Sequence, residues 1–276
     1  MLESLSQKRQ LGCSFAGALA CVVGLVACQA PEEAVQVELP VVADASRLEP
    51  VTTDLGYEVE LSEVRIMVKD FTFAIAGEAH TSSLLHRSYQ WLVPDVWAHP
   101  GHYQGGDITG EFPGRFLLDW FEDDELGRAS LLVGHYTSAN FFFVRANESD
   151  VASEDDLILG HTALLRGTAI RDEQQIAFLA LLDSPDDRQL VGVPFDFDLK
   201  ENSEVALHVQ LETVDTLEGD TLFDGLDFQA LDDNSDGKVE ISPAGETEAL
   251  LDAYNLLRRT LQTHDHFEVT AVALDQ

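Results

Sequence analysis

Cysteine is nearly absent from this chain, and its placement is as informative as its scarcity. All 3 cysteines, Cys13, Cys21 and Cys28, lie close to the start. Beyond Cys28 no disulfide framework and no thiolate metal site can form, so the hydrophobic core must hold that part of the fold alone. The stretch is long enough for one large domain, or a domain with an insert. Positive charge is scarce too: 16 Lys and Arg stand against 50 Asp and Glu, a formal net charge of −34. That balance argues against nucleic acid or an anionic lipid surface as partner, since like charges repel. It suits cations, and equally a salty habitat in which acidic surfaces stay soluble. The apolar run Leu11 to Ala27 is rich in Gly and Ala and falls short of the roughly 20 residues a membrane span needs. There is no GxSxG, P-loop, HExxH or GxGxxG motif. The acid pairs Asp123-Asp124 and Asp186-Asp187 lie in turn-like stretches, and no fixed-period repeat points to a propeller or solenoid.

What is present begins with Lys8 and Arg9, followed by that apolar run and then Leu25-Val26-Ala27-Cys28. This is the order of parts in a secretory signal. The last four residues resemble the lipobox of bacterial lipoproteins. The resemblance implies a cut before Cys28, whose thiol would carry a diacylglycerol, and Gln29 in place of Asp fits release to the outer membrane. Removing Glu3, Lys8 and Arg9 takes away a net +1, so −34 becomes −35 for the processed chain. Residues 1–27 are then a signal peptide. Residues 28–52, with Pro31, Pro40 and Pro50 and no helical period, read as a flexible tether lifting the domain off the membrane. Residues 53–276 are the domain.

From Gly56 onward the pattern is strand after strand. Tyr57, Val59 and Leu61 alternate with glutamates, and the phase slips at Ser62-Glu63, which reads as a bulge. Further runs lie at Phe71–Ile75, Arg115–Phe121, Ala129–Val133, Asn140–Arg145, His161–Ile170, Gln174–Leu182, Val193–Leu199 and Glu204–Val214, separated by turn residues. About ten short strands without intervening helices imply a mainly β, antiparallel sandwich or barrel-like domain. The exception is a helical insert at about 217–263. Thr221–Leu231 suits a short helix. Pro243–Thr263 holds a longer one, with Leu250, Leu251, Tyr254, Leu257 and Leu261 on one face and Ser242 as its N-cap before Pro243.

Between these helices Asp232, Asn234 and Asp236 place side-chain oxygens at alternate positions. Gly237 follows, Lys238 offers a carbonyl, and Glu240 sits at the ninth position. The stretch DDNSDGKVEIS resembles the first half of an EF-hand loop, which implies calcium, a hard cation that needs six to eight oxygens wrapped around it. Where that family has a bidentate Glu at the twelfth position, this chain has Pro243, so Glu246 or Glu248 would have to substitute. The plain alternative is an Asx-rich turn.

Of the 9 histidines, two pairs stand out. His99 and His102 flank Pro100-Gly101, and His264 and His266 flank Asp265, where an extended backbone would set both rings on one face. Neutral imidazoles bind zinc or copper, and four of them, or three with a carboxylate, would complete a site. His80, His86, His135 and His161 lie near strand ends and turns. His208 reads as an ordinary exposed residue. Trp91, Trp97 and Tyr103 bracket the first pair and read as core by default, as does Phe141–Phe143 with one ring exposed.

The function expected from these features is that of an envelope-anchored lipoprotein without a catalytic constellation. It would bind zinc or copper through His99, His102, His264 and His266, with calcium as a structural ion. It would sequester the metal or hand it to an envelope metal-transport partner. Two rivals remain: a calcium-stabilised binding module for an extracellular polymer or protein, and a metal-dependent hydrolase using the same histidines.

Overall fold

The computed structural model describes residues 35–75, 108–122, 125–185, 188–215 and 217–274. Among them the chain is mainly β, as its alternation implies. A 12-stranded sheet contains β1 (Gln36–Asp44), β2 (Val51–Thr52), β3 (Glu58–Ile75), β4 (Ile108–Asp119), β5 (Glu125–Leu132) and β6 (Gly134–Phe143). It continues with β7 (Ala163–Arg171), β8 (Gln174–Leu182), β9 (Arg188–Leu199), β10 (Val205–Leu211), β11 (Lys238–Ile241) and β12 (Phe267–Ala273).

The long strand β3 organises the sheet. Residues 58–66 pair with β7 and residues 68–75 with β6, while β4 lies along the opposite edge. Its register shifts at several points, among them Phe73–Ile75, and two of the irregularities have a local cause. One is the register shift between Leu61 and Glu63, where the sequence slips phase. The other is at Asp70, whose backbone is left-handed (φ +52°) and whose carboxylate accepts from Gly114 N at 3.0 Å; Asp tolerates that conformation better than most residues. The path β9-β6-β3-β4-β5-β1-β10-β12 curls round until β12 lies beside β9, giving a barrel-like ring, and β7, β8 and β11 extend from β3 as an arm.

Two pairings depart from the antiparallel expectation: β1 runs parallel to β10, and β11 parallel to β8. The expected tether over residues 28–52 does not hold from Gln36 onward. Residues 36–44 are not a spacer but a strand inserted between β5 and β10, because Leu39 and Val41 alternate inward and are buried. Pro40, which suggested a spacer, falls on the other phase opposite Arg128.

Alternation fills the ring with aromatics. Phe71, Phe73, Tyr136, Phe141, Phe143, Phe195 and Phe267 are buried, and Phe141 and Phe267 meet edge to face at 5.4 Å. Phe142 points outward beneath Lys69. The same core continues under the helical insert, where Phe178 packs on Phe223 and Phe228, and a separate, smaller cluster is formed by Met67, Val144, Ala146, Ile158, Leu164 and Leu181. The insert has two helices, α1 (Phe228–Leu231) and α2 (Glu248–Leu261). Ala253, Tyr254, Leu257 and Leu261 form the buried face of α2, whereas Leu251 is exposed.

Candidate functional site

The acidic loop sits between α1 and β11. Asp227 caps α1, accepting from Ala230 N, and burial of Phe228 and Leu231 fixes where the helix releases the chain. Asp232 then lies beneath the loop, 5 % exposed. Its two carboxylate oxygens accept from Asp236 N and Gly237 N, both at 3.0 Å. Asn234 Oδ1 also accepts from Asp236 N at 3.0 Å, and Asp236 Oδ1 accepts from Lys238 N at 2.9 Å. Ser235 (φ +57°) and Gly237 (φ +77°) supply the left-handed backbone that lets the loop wind. The loop ends in β11, whose Val239 and Ile241 are buried against β8, with Val239 opposite Phe178. That parallel pairing anchors Lys238 and Glu240 in place.

Beside the loop is an open recess of about 440 Å³ lined by Asn234, Asp236, Glu240 and Glu246 among others. The donor set is all oxygen: the side chains of Asp232, Asn234 and Asp236, the Lys238 carbonyl and Glu240. Oxygen is the donor type a hard cation takes, and each carboxylate oxygen of Asp232 keeps a second lone pair beyond its backbone bond. Among the described residues, however, these carboxylates do not form a group with ligand atoms within 4.8 Å of one another. Glu246 joins the recess, while Glu248 opens α2. The start of that helix differs from the Ser242-Pro243 expectation. Ser242 closes a turn by accepting from Gly245 N, and Thr247 is the true cap, accepting from Leu250 N at 3.2 Å.

The histidines are placed differently from one another. His264–His266 forms a 3₁₀ turn instead of extended backbone, so the two rings enter different surroundings. His266 is 2 % exposed, and its Nδ1 lies 3.0 Å from Glu212 O; a carbonyl oxygen only accepts, so Nδ1 is the donor. His264 turns toward Asp265 and lies against Gly192. His208 is not an ordinary exposed residue: its Nδ1 meets Asp44 Oδ2 at 3.0 Å, and its side chain is 23 % exposed. His161 Nδ1 meets Asp183 at 2.7 Å, and His135 lies between Asp196 and Asp198. His99 and His102 fall outside the described residues, as do His80, His86, Trp91, Trp97, Tyr103 and Cys28, together with the signal and lipobox.

One grouping escaped the sequence reading. Asp215, Glu218 and Asp220 bring carboxylate oxygens within 4.8 Å of one another at a tight turn, though exposed acids often gather without an ion. Nearby, burial raises the Glu212 carboxyl above its ordinary range; Glu268 adds to that rise, and Arg47 opposes it. The signal that would have revealed the turn is weak, because DTLEGD resembles any acidic loop. Comparison with protein-family models, curated proteins and solved structures finds no match for this chain.

Proposed function

We propose that this chain is an envelope-anchored, metal-binding lipoprotein whose insert is fixed by a structural calcium. In this reading Cys28 carries the lipid. Asp232, Asn234, Asp236, Lys238 and Glu240 hold the calcium, with Glu246 taking the part that Pro243 cannot. His264 and His266, with His99 and His102, bind zinc or copper for sequestration or delivery.

One observation carries the calcium assignment. The loop is wound by Asp232 contacts to Asp236 N and Gly237 N, beside a recess that Asn234, Asp236, Glu240 and Glu246 line. For the histidines, the orientation of His266 supports the reading, since a backbone carbonyl on Nδ1 leaves Nε2 as the ligand atom. Titration with calcium should raise the melting temperature, and Asp236→Ala should abolish the rise. An unchanged melting temperature at millimolar calcium would overturn the calcium assignment. Zinc or copper content of protein purified without a histidine tag should fall in His99→Ala and in His264→Ala, and unchanged content in both would overturn the histidine site.

A further inference from the structure

Because β1 begins at Gln36, the link between Cys28 and the domain is short. Resting on the reading of Cys28 as the lipid carrier, only 29–35 separate it from the first residue of β1, Gln36. Fully extended, that link reaches roughly 28 Å at ~3.5 Å per residue. The domain is thus held close to the bilayer by the end of the ring at which β1 begins.

That end carries exposed apolar side chains. Val35 is 41 % exposed and its carbonyl accepts from Val133 N, which fixes Val133, 43 % exposed, beside it. On β4, Gly110 pairs with Leu131; two residues before it, Ile108 is 62 % exposed at the same end. Beyond β10, Leu274 donates its N–H to Glu204 O at the start of that strand, and Val272 and Leu274 are 42 % and 47 % exposed. Aliphatic side chains gathered at one end of a barrel gain by leaving water. Gln36, Lys200, Glu201 and Glu204 flank them and are exposed. Such a border suits contact at headgroup depth and opposes deep insertion.

We propose that this rim, centred on Val35, Ile108 and Val133, docks on the bilayer surface when Cys28 is acylated. The strongly acidic chain favours zwitterionic over anionic lipid. The occupant is lipid because the short link leaves this end nearest the anchor.

The test uses full-length protein processed in a bacterial host and reconstituted in phosphatidylcholine vesicles. A spin label is attached through Ile108→Cys or, as control, Glu218→Cys beyond the far end of β10. Intact mass reports acylation of Cys28. The expected result is acylated protein whose label at 108 collides with oxygen more, and with a water-soluble nickel chelate several-fold less, than the label at 218. Acylated protein with equal nickel collision at both positions overturns the docking and leaves the lipoprotein reading standing. Protein without acyl mass overturns both.

Discussion

Asp44 ends β1 and holds three neighbours at once: Ser46 N at 2.8 Å, His208 Nδ1 at 3.0 Å and Gln210 Nε2 at 2.8 Å. Burial is the largest single influence and pushes its carboxyl up, but hydrogen bonds from Ser46, Gln210 and His208 together outweigh it and hold the group at about 2. A carboxyl depressed in the folded state contributes stability above its unfolded value, and that contribution is lost as pH falls through the folded value. Asp44→Asn should therefore lower the melting temperature at pH 6, and the gap to the unaltered protein should narrow between about pH 4 and 2. A gap that stays constant over that range, followed by calorimetry, would count against the assignment. The part played by Asp44 was illegible in the sequence, because its partners lie 164 and 166 positions away. Only pairing of β1 with β10 brings them together. The same distance explains why His208 looked exposed: its outward phase was readable, but not what covers it.

The helical insert is tied to the sheet through polar contacts as well as its core. Tyr57 OH donates to Asp227 Oδ1 at 2.5 Å and accepts from Gln229 N at 2.8 Å, while the Arg171 guanidinium stacks on the Tyr57 ring at 4.1 Å. Burial, then the bond to Asp227, pushes the Tyr57 hydroxyl up to about 12, so it remains protonated and donating at neutral pH. The acidic loop is thereby coupled to β3 and β7 by α1. At the other end of the insert, Thr247→Ala removes the cap of α2 and should cost about 1 kcal/mol in urea unfolding. Ser242→Ala should leave that helix end capped, since Ser242 contributes a backbone carbonyl to its turn. The apolar spacing revealed the helix because period 3.6 is a local property. Its start was placed at Ser242-Pro243 because that pair satisfies the local cap pattern, whereas Thr247 caps the helix. The choice falls to β11, which keeps the chain on β8 through Ile241 and delays the helix until Glu248.

On the scale of the molecule, β1 is the piece without which the ring does not close. It separates β5 from β10, and removing it would strip the hydrogen-bonding partners from both and open the core at Leu39 and Val41. A chain lacking residues 1–35 should unfold cooperatively with a near-normal melting temperature, whereas one lacking residues 1–44 should show no cooperative transition by circular dichroism. Cooperative unfolding of the shorter chain would show that β1 is dispensable.

The sequence by itself determined the mainly β character, most of the strands, the bulge near Glu63, the helical insert and the order of oxygens in the acidic loop. Each is written in a repeat of two or of 3.6 residues, or in a spacing of a few positions, and such patterns survive without knowledge of neighbours. The tertiary structure alone decided that β1 belongs to the sheet, that two pairings are parallel, that Glu246 faces the recess and that His264 and His266 enter different surroundings. Those features depend on contacts between residues far apart in the chain, and strand alternation is identical whether the neighbour runs parallel or antiparallel.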